Sequence, residues 1–519
     1  MGFFSLDFTI IVIYLLGVTI FGLVLSGRQR STSDYFLGGH RIPWWAVLFS
    51  VVATETSTLT FISVPAVAYG GTLTFLQITL GYAIGRIVVS FIFLPKYFKG
   101  ELVTAYQFLG DRFGGGMRNI TSTTFMVTRL LADGVRLFAS AIPIALVLRL
   151  SGVKATDLQI YMISILLIAA VTIAYTFMGG IKAVVWMDVI QMGVYIGGAL
   201  LAAGIILNNL PDGFSGLMGT AKNLGKLRLF DLGFNLSFKE FIAQPYTLLT
   251  ALFGGAVFSM ASHGTDQLIV QRLLTTKNIR SSQRALIGSG IVVILQFTLF
   301  MFIGLLLFGF YGGMSPDQLG LVSHDEIFAK FIVEEIPAGI SGLIIAAILA
   351  AAMSTLSSSI NSLASSTTLD LYKPHWGKMN TPERDLKVSR LFTLIWGGII
   401  TGSAFFFALL QISAAGERPA VVELGLGIAS YTYGGLLGVF LLGALTKKIQ
   451  RLDAVVGFFS GLIALLFLVK GPVQAFLPGE GLTIAWPLYI VIGSIIVFVV
   501  GQLSFTTRRL LGKDQDSRV

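Results

Sequence analysis

Long apolar segments recur along the whole 519-residue chain and constrain its fold more than any other feature. Each is about 20 residues long, the length that an α-helix needs to cross the hydrocarbon core of a bilayer. Hydrophobic residues make up 55% of the composition and charged residues only 12%, which excludes a soluble multidomain enzyme. The sequence therefore predicts an all-α polytopic membrane protein with about thirteen spans, near 6–26, 44–70, 72–97, 119–148, 157–179, 183–209, 243–270, 285–311, 337–366, 388–411, 421–446, 453–469 and 484–506.

The basic residues alternate between the two sets of connections. One set holds 24 Lys and Arg residues, the other holds 9, and three more lie within or at the ends of spans. Positive residues stay on the cytoplasmic side, so the N-terminus is predicted outside and the 507–519 tail in the cytoplasm. The membrane is predicted to be the plasma membrane or the bacterial inner membrane. The net charge of +10 is thereby explained without nucleic acid.

The second span is interrupted by polar residues between Ser50 and Pro65, with Glu55 at mid-depth. Hydroxyl side chains compete for backbone hydrogen bonds and weaken a helix. An interruption here would free carbonyl groups to bind a cation, as discontinuous helices do in transporters. The alternative is a continuous polar helix packed against small residues.

The ninth span, from Gly342 to Ser362, carries a stripe of neutral oxygen atoms. Helical periodicity places Ala351, Ser354, Thr355, Ser358 and Asn361 on one face, with Ser357 beside them. Neutral oxygen ligands such as hydroxyls and carbonyls suit sodium, because they bind a monovalent cation without burying several negative charges. The alternative is that small residues merely allow close helix packing.

Three further spans contain ionisable residues, which are costly in a membrane and mark functional sites. Asp188 lies about two turns from the cytoplasmic end of its span, where it balances a cation or pairs with a lysine. Asp133 and Arg136 are spaced for an intrahelical ion pair, although the guanidinium also suits a solute carboxylate. His263 lies in the seventh span, which would be the counterpart of the second span in an inverted repeat.

Six segments carry a family resemblance: DYFLGGHRIPWW (34–45), the polar second span, YTFMGGIKAVVWMDVIQ (175–191), DQLIVQR (266–272), the serine-rich ninth span and GGLLGVFLLG (434–443). Taken in order, they make the sequence similar to the sodium:solute symporter family, which includes proline, galactose and sialic acid carriers. The resemblance implies a single transporter domain with a leucine-transporter-type core of five plus five inverted helices, coupled to sodium and without another cofactor. The implied divisions are an extra helix at 6–26, repeats at 44–209 and 243–446, two extra helices at 453–506 and the tail.

The resemblance also implies particular site residues. The family's sodium site corresponds to Ala53, Thr56, Ala351, Ser354 and Thr355, and a second sodium site known in some members to Asp188, Ser354, Ser357 and Ser358. The solute site corresponds to Glu55, Ser57, Thr60, Phe75, Gln77, Thr79, Arg136, Phe258 and His263.

Two of these residues point to different classes of solute, so the identity of the solute is not determined by the sequence. Arg136 is similar in position to the arginine that holds the carboxylate in sialic acid carriers, and Glu55 to an acidic residue of proline carriers. An acid facing a guanidinium would hold a zwitterion; alternatively, Glu55 compensates Arg136 and leaves a neutral solute to hydroxyls and aromatic rings.

The function expected from these features is sodium-coupled symport of a small polar solute by alternating access, through a monomer. A carboxylate-bearing or amino-acid-like solute is favoured over a neutral sugar. The alternatives are a proton-coupled carrier, in which Glu55, Asp133 or Asp188 titrates, and a membrane sensor that has lost transport. An enzyme is not expected because no nucleophile, zinc-type metal site or acid–base constellation assembles.

Overall fold

The structure is a computed structural model that describes residues 5–25, 29–150, 153–321, 324–377, 381–413, 421–469 and 482–511. Within these ranges the chain is helical apart from its connections and two isolated β-bridges, which confirms the all-α fold class. The first half forms α1 (Ser5–Leu25), α2 (Thr32–Leu37), α3 (Trp44–Glu55), α4 (Thr58–Gly70), α5 (Leu76–Ile92), α6 (Leu94–Lys99), α7 (Ala105–Phe113), α8 (Gly115–Leu150), α9 (Asp157–Asn208), α10 (Gly213–Asn223) and α11 (Phe238–Ala243). The second half forms α12 (Gly255–Gly264), α13 (Gln267–Leu274), α14 (Ile279–Phe310), α15 (Glu326–Glu334), α16 (Ile340–Ser366), α17 (Lys373–His375), α18 (Pro382–Ser413), α19 (Val421–Leu445), α20 (Arg451–Leu468) and α21 (Trp486–Leu510).

Within the described ranges, seven helical segments are long and apolar enough to cross a membrane, and the bent pair α3 and α4 makes an eighth. Shorter apolar helices cover Leu6–Gly22 and Ala429–Leu445. The predicted span at 119–148 lies in α8, whose mid-helix charges make it less apolar than the others. Residues 512–519 of the predicted tail lie outside the described part of the chain.

The fifth and sixth predicted spans are two helices that meet at a kink with no loop between them. Helix α9 runs for 52 residues and is interrupted at Gly180, whose backbone has a φ of 56° and a ψ of −160°. A side chain at this position would meet the Tyr35 carbonyl oxygen, 2.5 Å from an ideal Cβ. The change of direction therefore depends on a backbone conformation that glycine adopts readily, which the count of apolar residues could not reveal.

The predicted break in the second span is confirmed. Helix α3 ends at Glu55, α4 begins at Thr58, and their axes are bent by 64°. The seventh predicted span is also discontinuous: α12 ends at Gly264 and α13 begins at Gln267, with Asp266 capping the Leu268 N–H. Two interrupted helices thus bring backbone polar groups into the interior, which a membrane protein tolerates where they line a cavity.

Helix α16 lies at the centre of the molecule. In its most apolar 18-residue window 89% of the residues are buried, against 33% to 56% in the other six single-helix spans. It packs against α1, α3, α8, α9 and α18. The Asp7 carboxylate of α1 accepts hydrogen bonds from the Gly339 and Gly342 N–H groups and the Ser341 hydroxyl, and thereby caps the N-terminus of α16. The helix that carries the serine stripe is therefore firmly held.

Candidate ion and solute site

A small cavity lies where the break between α3 and α4 faces α16. Four of the five predicted sodium-site residues line it: Ala53, Thr56, Ala351 and Ser354. Gln191 and Tyr195 of α9 contribute to the same wall, and the sequence reasoning did not select them. Gln191 is the last residue of a quoted family segment and lies inside an apolar span, which is the signal that could have found it.

The helix break leaves backbone oxygens available at this cavity. Thr56 adopts an extended conformation, with φ −82° and ψ 105°. The next backbone hydrogen bonds along the chain are donated by the Thr60 and Phe61 N–H groups to the Ser57 carbonyl oxygen. Within the described chain no backbone N–H donates to the Ala53 or Thr56 carbonyl oxygen. Buried carbonyls without a donor are the kind of ligand that a sodium ion uses.

Thr355, the fifth predicted sodium-site residue, lines a neighbouring cavity instead. Its hydroxyl donates to the Ala351 carbonyl oxygen at 3.2 Å. The neighbouring cavity also contains Ser57 and Arg136 from the predicted solute site, together with Asp133 and Ser140. Thr355 therefore lies between the predicted ion site and the predicted solute site, which are adjacent in space.

The residues of the predicted second sodium site are brought together around Asp188. Its carboxylate accepts hydrogen bonds from Ser354 at 2.6 Å and from Ser50, and the Ser357 and Ser358 hydroxyls donate to the Ser354 carbonyl. However, the fully buried Arg272 guanidinium already lies there, 3.2 Å from Asp188 and hydrogen-bonded to Ser358. The cation balancing Asp188 is thus an arginine, not the nearby lysine that was considered.

Glu55 pairs with an arginine other than Arg136, so the prediction that Glu55 compensates Arg136 is wrong. Its carboxylate forms an ion pair with Arg86 of α5, and His263 Nε2 of α12 lies 3.6 Å away. The Arg86 side chain is fully buried and that of Glu55 is 19% exposed. A lone arginine within an apolar span was the available signal, but sequence spacing alone cannot show which acid lies opposite it.

Arg136 belongs to a separate cluster of alternating charges. Its Nη1 lies 3.6 Å from the Asp133 carboxylate, which confirms the predicted intrahelical pair, and Asp133 also lies 3.4 Å from Arg129 Nη1. Arg129 in turn pairs with Asp266 at the break between α12 and α13, and Tyr433 of α19 hydrogen-bonds to both. The cluster connects the cavity that contains Arg136 to the second interrupted helix.

The remaining predicted solute residues lie around aromatic side chains of α5, α12 and the segment before α12. The Phe75 ring packs against Phe297 and Tyr246, and the Gln77 amide donates to the Tyr246 carbonyl at 2.8 Å. Thr79 donates to its own helix at Leu76, Phe258 contacts Tyr82, Tyr433 and Trp486, and Thr60 is half-buried on α4. These residues do not line the cavity that contains Arg136.

Comparison with known proteins identifies the family. A model of the sodium:solute symporter family matches residues 35–461. The chain belongs to this family. The symporter is 30% identical to the sodium/sialic acid symporter SiaT of Proteus mirabilis, over 96% of this chain and 94% of the relative. It is 28% identical to the human sodium/iodide cotransporter, over 90% of this chain and 70% of the relative.

Solved structures support the same assignment. The symporter superimposes with a TM-score of 0.82 on a substrate-bound, outward-open Na⁺-coupled sialic acid symporter that is 29% identical in sequence, covering 97% of this chain and 98% of that one. The nucleobase-cation symporter Mhp1 matches with a TM-score of 0.54 at 14% identity, covering 94% of this chain and 96% of that one, and shows a common fold. The protein is therefore a sodium-coupled membrane transporter and not an enzyme.

Breaking the Glu55–Arg86 pair of this symporter should be strongly destabilising. In Glu55→Gln the Arg86 charge stays buried without its partner, which costs about 3–5 kcal/mol of unfolding free energy. The double variant Glu55→Gln/Arg86→Gln should recover much of that loss because no unpaired charge remains. Thermal unfolding of the purified protein measures both, with Glu334→Gln in the exposed Lys330–Glu334 pair as the control, expected to cost at most about 1 kcal/mol. Equal losses in the single and double variants would contradict the pairing.

Proposed function

We propose that this symporter carries a small solute with a single carboxylate into the cell together with sodium. The observation that carries the proposal is the position of Arg136. Its side chain is 21% exposed and lines a small cavity together with Ser57, Ser140 and Thr355. A planar guanidinium forms paired hydrogen bonds with a carboxylate, and hydroxyls on the same wall suit the polar remainder of such a solute.

The solutes named for relatives support an anion. They include sialic acid for SiaT, iodide for the human cotransporter and monocarboxylates for a human relative that is 26% identical. Sialic acid and the monocarboxylates each bear one carboxylate, and iodide is itself a monoanion. An arginine at the solute cavity is the side-chain type that this shared charge requires.

A neutral solute is the second candidate, and the Asp133–Arg136 pair favours it. If Asp133 compensates Arg136 permanently, the cavity offers only hydroxyls and aliphatic side chains to the solute. The carboxylate and neutral candidates differ in whether Arg136 gives up its ion pair with Asp133 to bind the solute.

The proposed ion site consists of Ala53, Thr56, Ala351, Ser354 and Thr355. Sodium there joins the broken helix to α16, and Thr355 extends from the ion site to the solute cavity. Sodium raises solute affinity only by favouring the conformation that binds the solute, and the solute then favours sodium equally. A second sodium at Asp188, Ser354, Ser357 and Ser358 requires the Arg272 guanidinium to withdraw from Asp188.

The proposed topology has thirteen spans, with an inverted repeat at 44–209 and 243–446, one extra helix before it and two after it. The N-terminus lies outside and the tail lies in the cytoplasm, as the distribution of basic residues requires. The interrupted α3–α4 and α12–α13 elements occupy corresponding places in the two repeats, which supports this assignment. The protein acts as a monomer in the plasma or inner membrane.

A thermal-shift screen of the purified symporter tests the proposed solute class. N-acetylneuraminate, lactate, proline and galactose are added with sodium or with potassium, because a ligand that binds the folded protein raises its unfolding temperature. We expect stabilisation by a carboxylate in sodium only, with little effect from galactose. Stabilisation by galactose alone would replace the proposal with the neutral-solute candidate, and equal stabilisation in potassium would contradict sodium coupling.

A further inference from the structure

Asp133 is a buried carboxylate whose two oxygens have different surroundings. Its side chain is 1% exposed, and Oδ1 lies 3.4 Å from Arg129 and 3.6 Å from Arg136. Its Oδ2 is buried without a hydrogen-bond partner. Since an ionised carboxylate normally accepts several hydrogen bonds when buried, Asp133 is incompletely satisfied at the wall of the solute cavity.

The two arginines beside Asp133 differ in their other partners. Arg129 is 5% exposed and holds Asp266 through two of its nitrogens. Among the described residues, Arg136 pairs with no acid other than Asp133, and its side chain is more exposed. An anion entering the cavity therefore meets Arg136 as the accessible cation, and Asp133 as the group already bound to it.

We propose that Asp133 is a specificity-determining residue that occupies Arg136 in the empty cavity and is released to Arg129 when a solute carboxylate arrives. This inference rests on the proposed function, in which Arg136 receives that carboxylate. Because Asp133 Oδ1 already accepts a hydrogen bond from Arg129 Nη1 at 3.4 Å, its release from Arg136 leaves no buried carboxylate without a cation, which would be strongly unfavourable. Arg129 therefore lowers the energetic cost of the exchange.

The exchange selects among anions. A solute must bind Arg136 better than Asp133 does, so a carboxylate that also hydrogen-bonds to Ser57, Ser140 or Thr355 is accepted. A small anion without further contacts offers Arg136 nothing that Asp133 does not already supply. Specificity of this kind is a difference between two affinities, and the internal competitor lowers the affinity for every anion.

Asp133→Asn tests the competition, since it removes the charge and keeps the size of the side chain. Calorimetric titration of the sodium-loaded protein is carried out with N-acetylneuraminate and with lactate, each compared with its neutral methyl ester. We expect about a tenfold lower Kd for both carboxylates, with a larger gain for lactate, and unchanged binding of the esters. Asp157→Asn is the matched control, because Asp157 also pairs with an arginine, Arg149, but is exposed.

The result separates this inference from the proposed function. If wild-type protein binds a carboxylate through Arg136 while Asp133→Asn leaves its Kd unchanged or raises it, the competition is wrong and the proposed function stands. If wild-type protein in sodium binds neither carboxylate, both are overturned.

A second variant serves if Asp133→Asn does not fold. Asp133→Glu keeps the charge and gives the competing carboxylate one methylene more reach along Arg136, so carboxylate binding should weaken several-fold while ester binding does not change. Undiminished carboxylate binding in Asp133→Glu would overturn the competition.

Discussion

Arg136→Gln is expected to lower the affinity for a carboxylate solute by at least about 30-fold and to abolish its sodium-driven uptake. Removing one partner of a desolvated charge pair costs about 2–5 kcal/mol, and each 1.4 kcal/mol is a factor of ten. The variant should still bind sodium, because Arg136 lines the solute cavity and not the proposed ion cavity. Uptake into proteoliposomes and sodium-dependent thermal stabilisation measure the two properties separately.

Arg136→Lys is the control for charge alone. Lysine keeps the positive charge but loses the planar pair of donors. The affinity of Arg136→Lys for a carboxylate solute should therefore lie between those of the wild type and Arg136→Gln. If Arg136→Gln takes up the carboxylate as fast as the wild type does, Arg136 is not part of the solute site. The Asp133–Arg136 pair would then have only a structural role.

Ser354→Ala/Thr355→Ala is expected to raise the sodium concentration needed for half-maximal uptake on the order of 100-fold. Each lost hydroxyl removes a contact to a charged group worth about 1.5–3 kcal/mol, and the helix break supplies only carbonyls in their place. In the single variant Ser354→Ala, solute affinity measured without sodium should change little, because Ser354 lines the ion cavity and not the cavity that contains Arg136. Uptake as a function of sodium concentration gives the half-saturation value directly.

Ser362→Ala is the matched control on the same helix. Its hydroxyl is buried and donates to the Ser359 carbonyl, one turn earlier, and it does not line the ion cavity. Thr355→Ser retains an oxygen and should retain sodium dependence. An unchanged sodium requirement in the double alanine variant would contradict the proposed ligand set.

Much of the candidate site was predictable because polar residues in apolar spans are costly and therefore informative. The break near Glu55 and the oxygen stripe at Ser354 were both evident, and the structure places them at one cavity. The partners that charged residues find on other helices were not predictable. Arg86, Arg129 and Arg272 come from helices far apart in sequence, and nothing in their spacing indicates Glu55, Asp266 or Asp188.

The apolar segments by themselves determined that this chain is a helical membrane protein, because their length and the energetic cost of unpaired backbone groups in lipid leave few other folds. The polar residues around Glu55 also predicted a break in the second helix, with a continuous polar helix as the alternative. Only the tertiary structure decided that Glu55 pairs with Arg86, Asp266 with Arg129 and Asp188 with Arg272. The physical reason is that insertion cost acts on each segment separately, whereas charge pairing depends on which helices pack together.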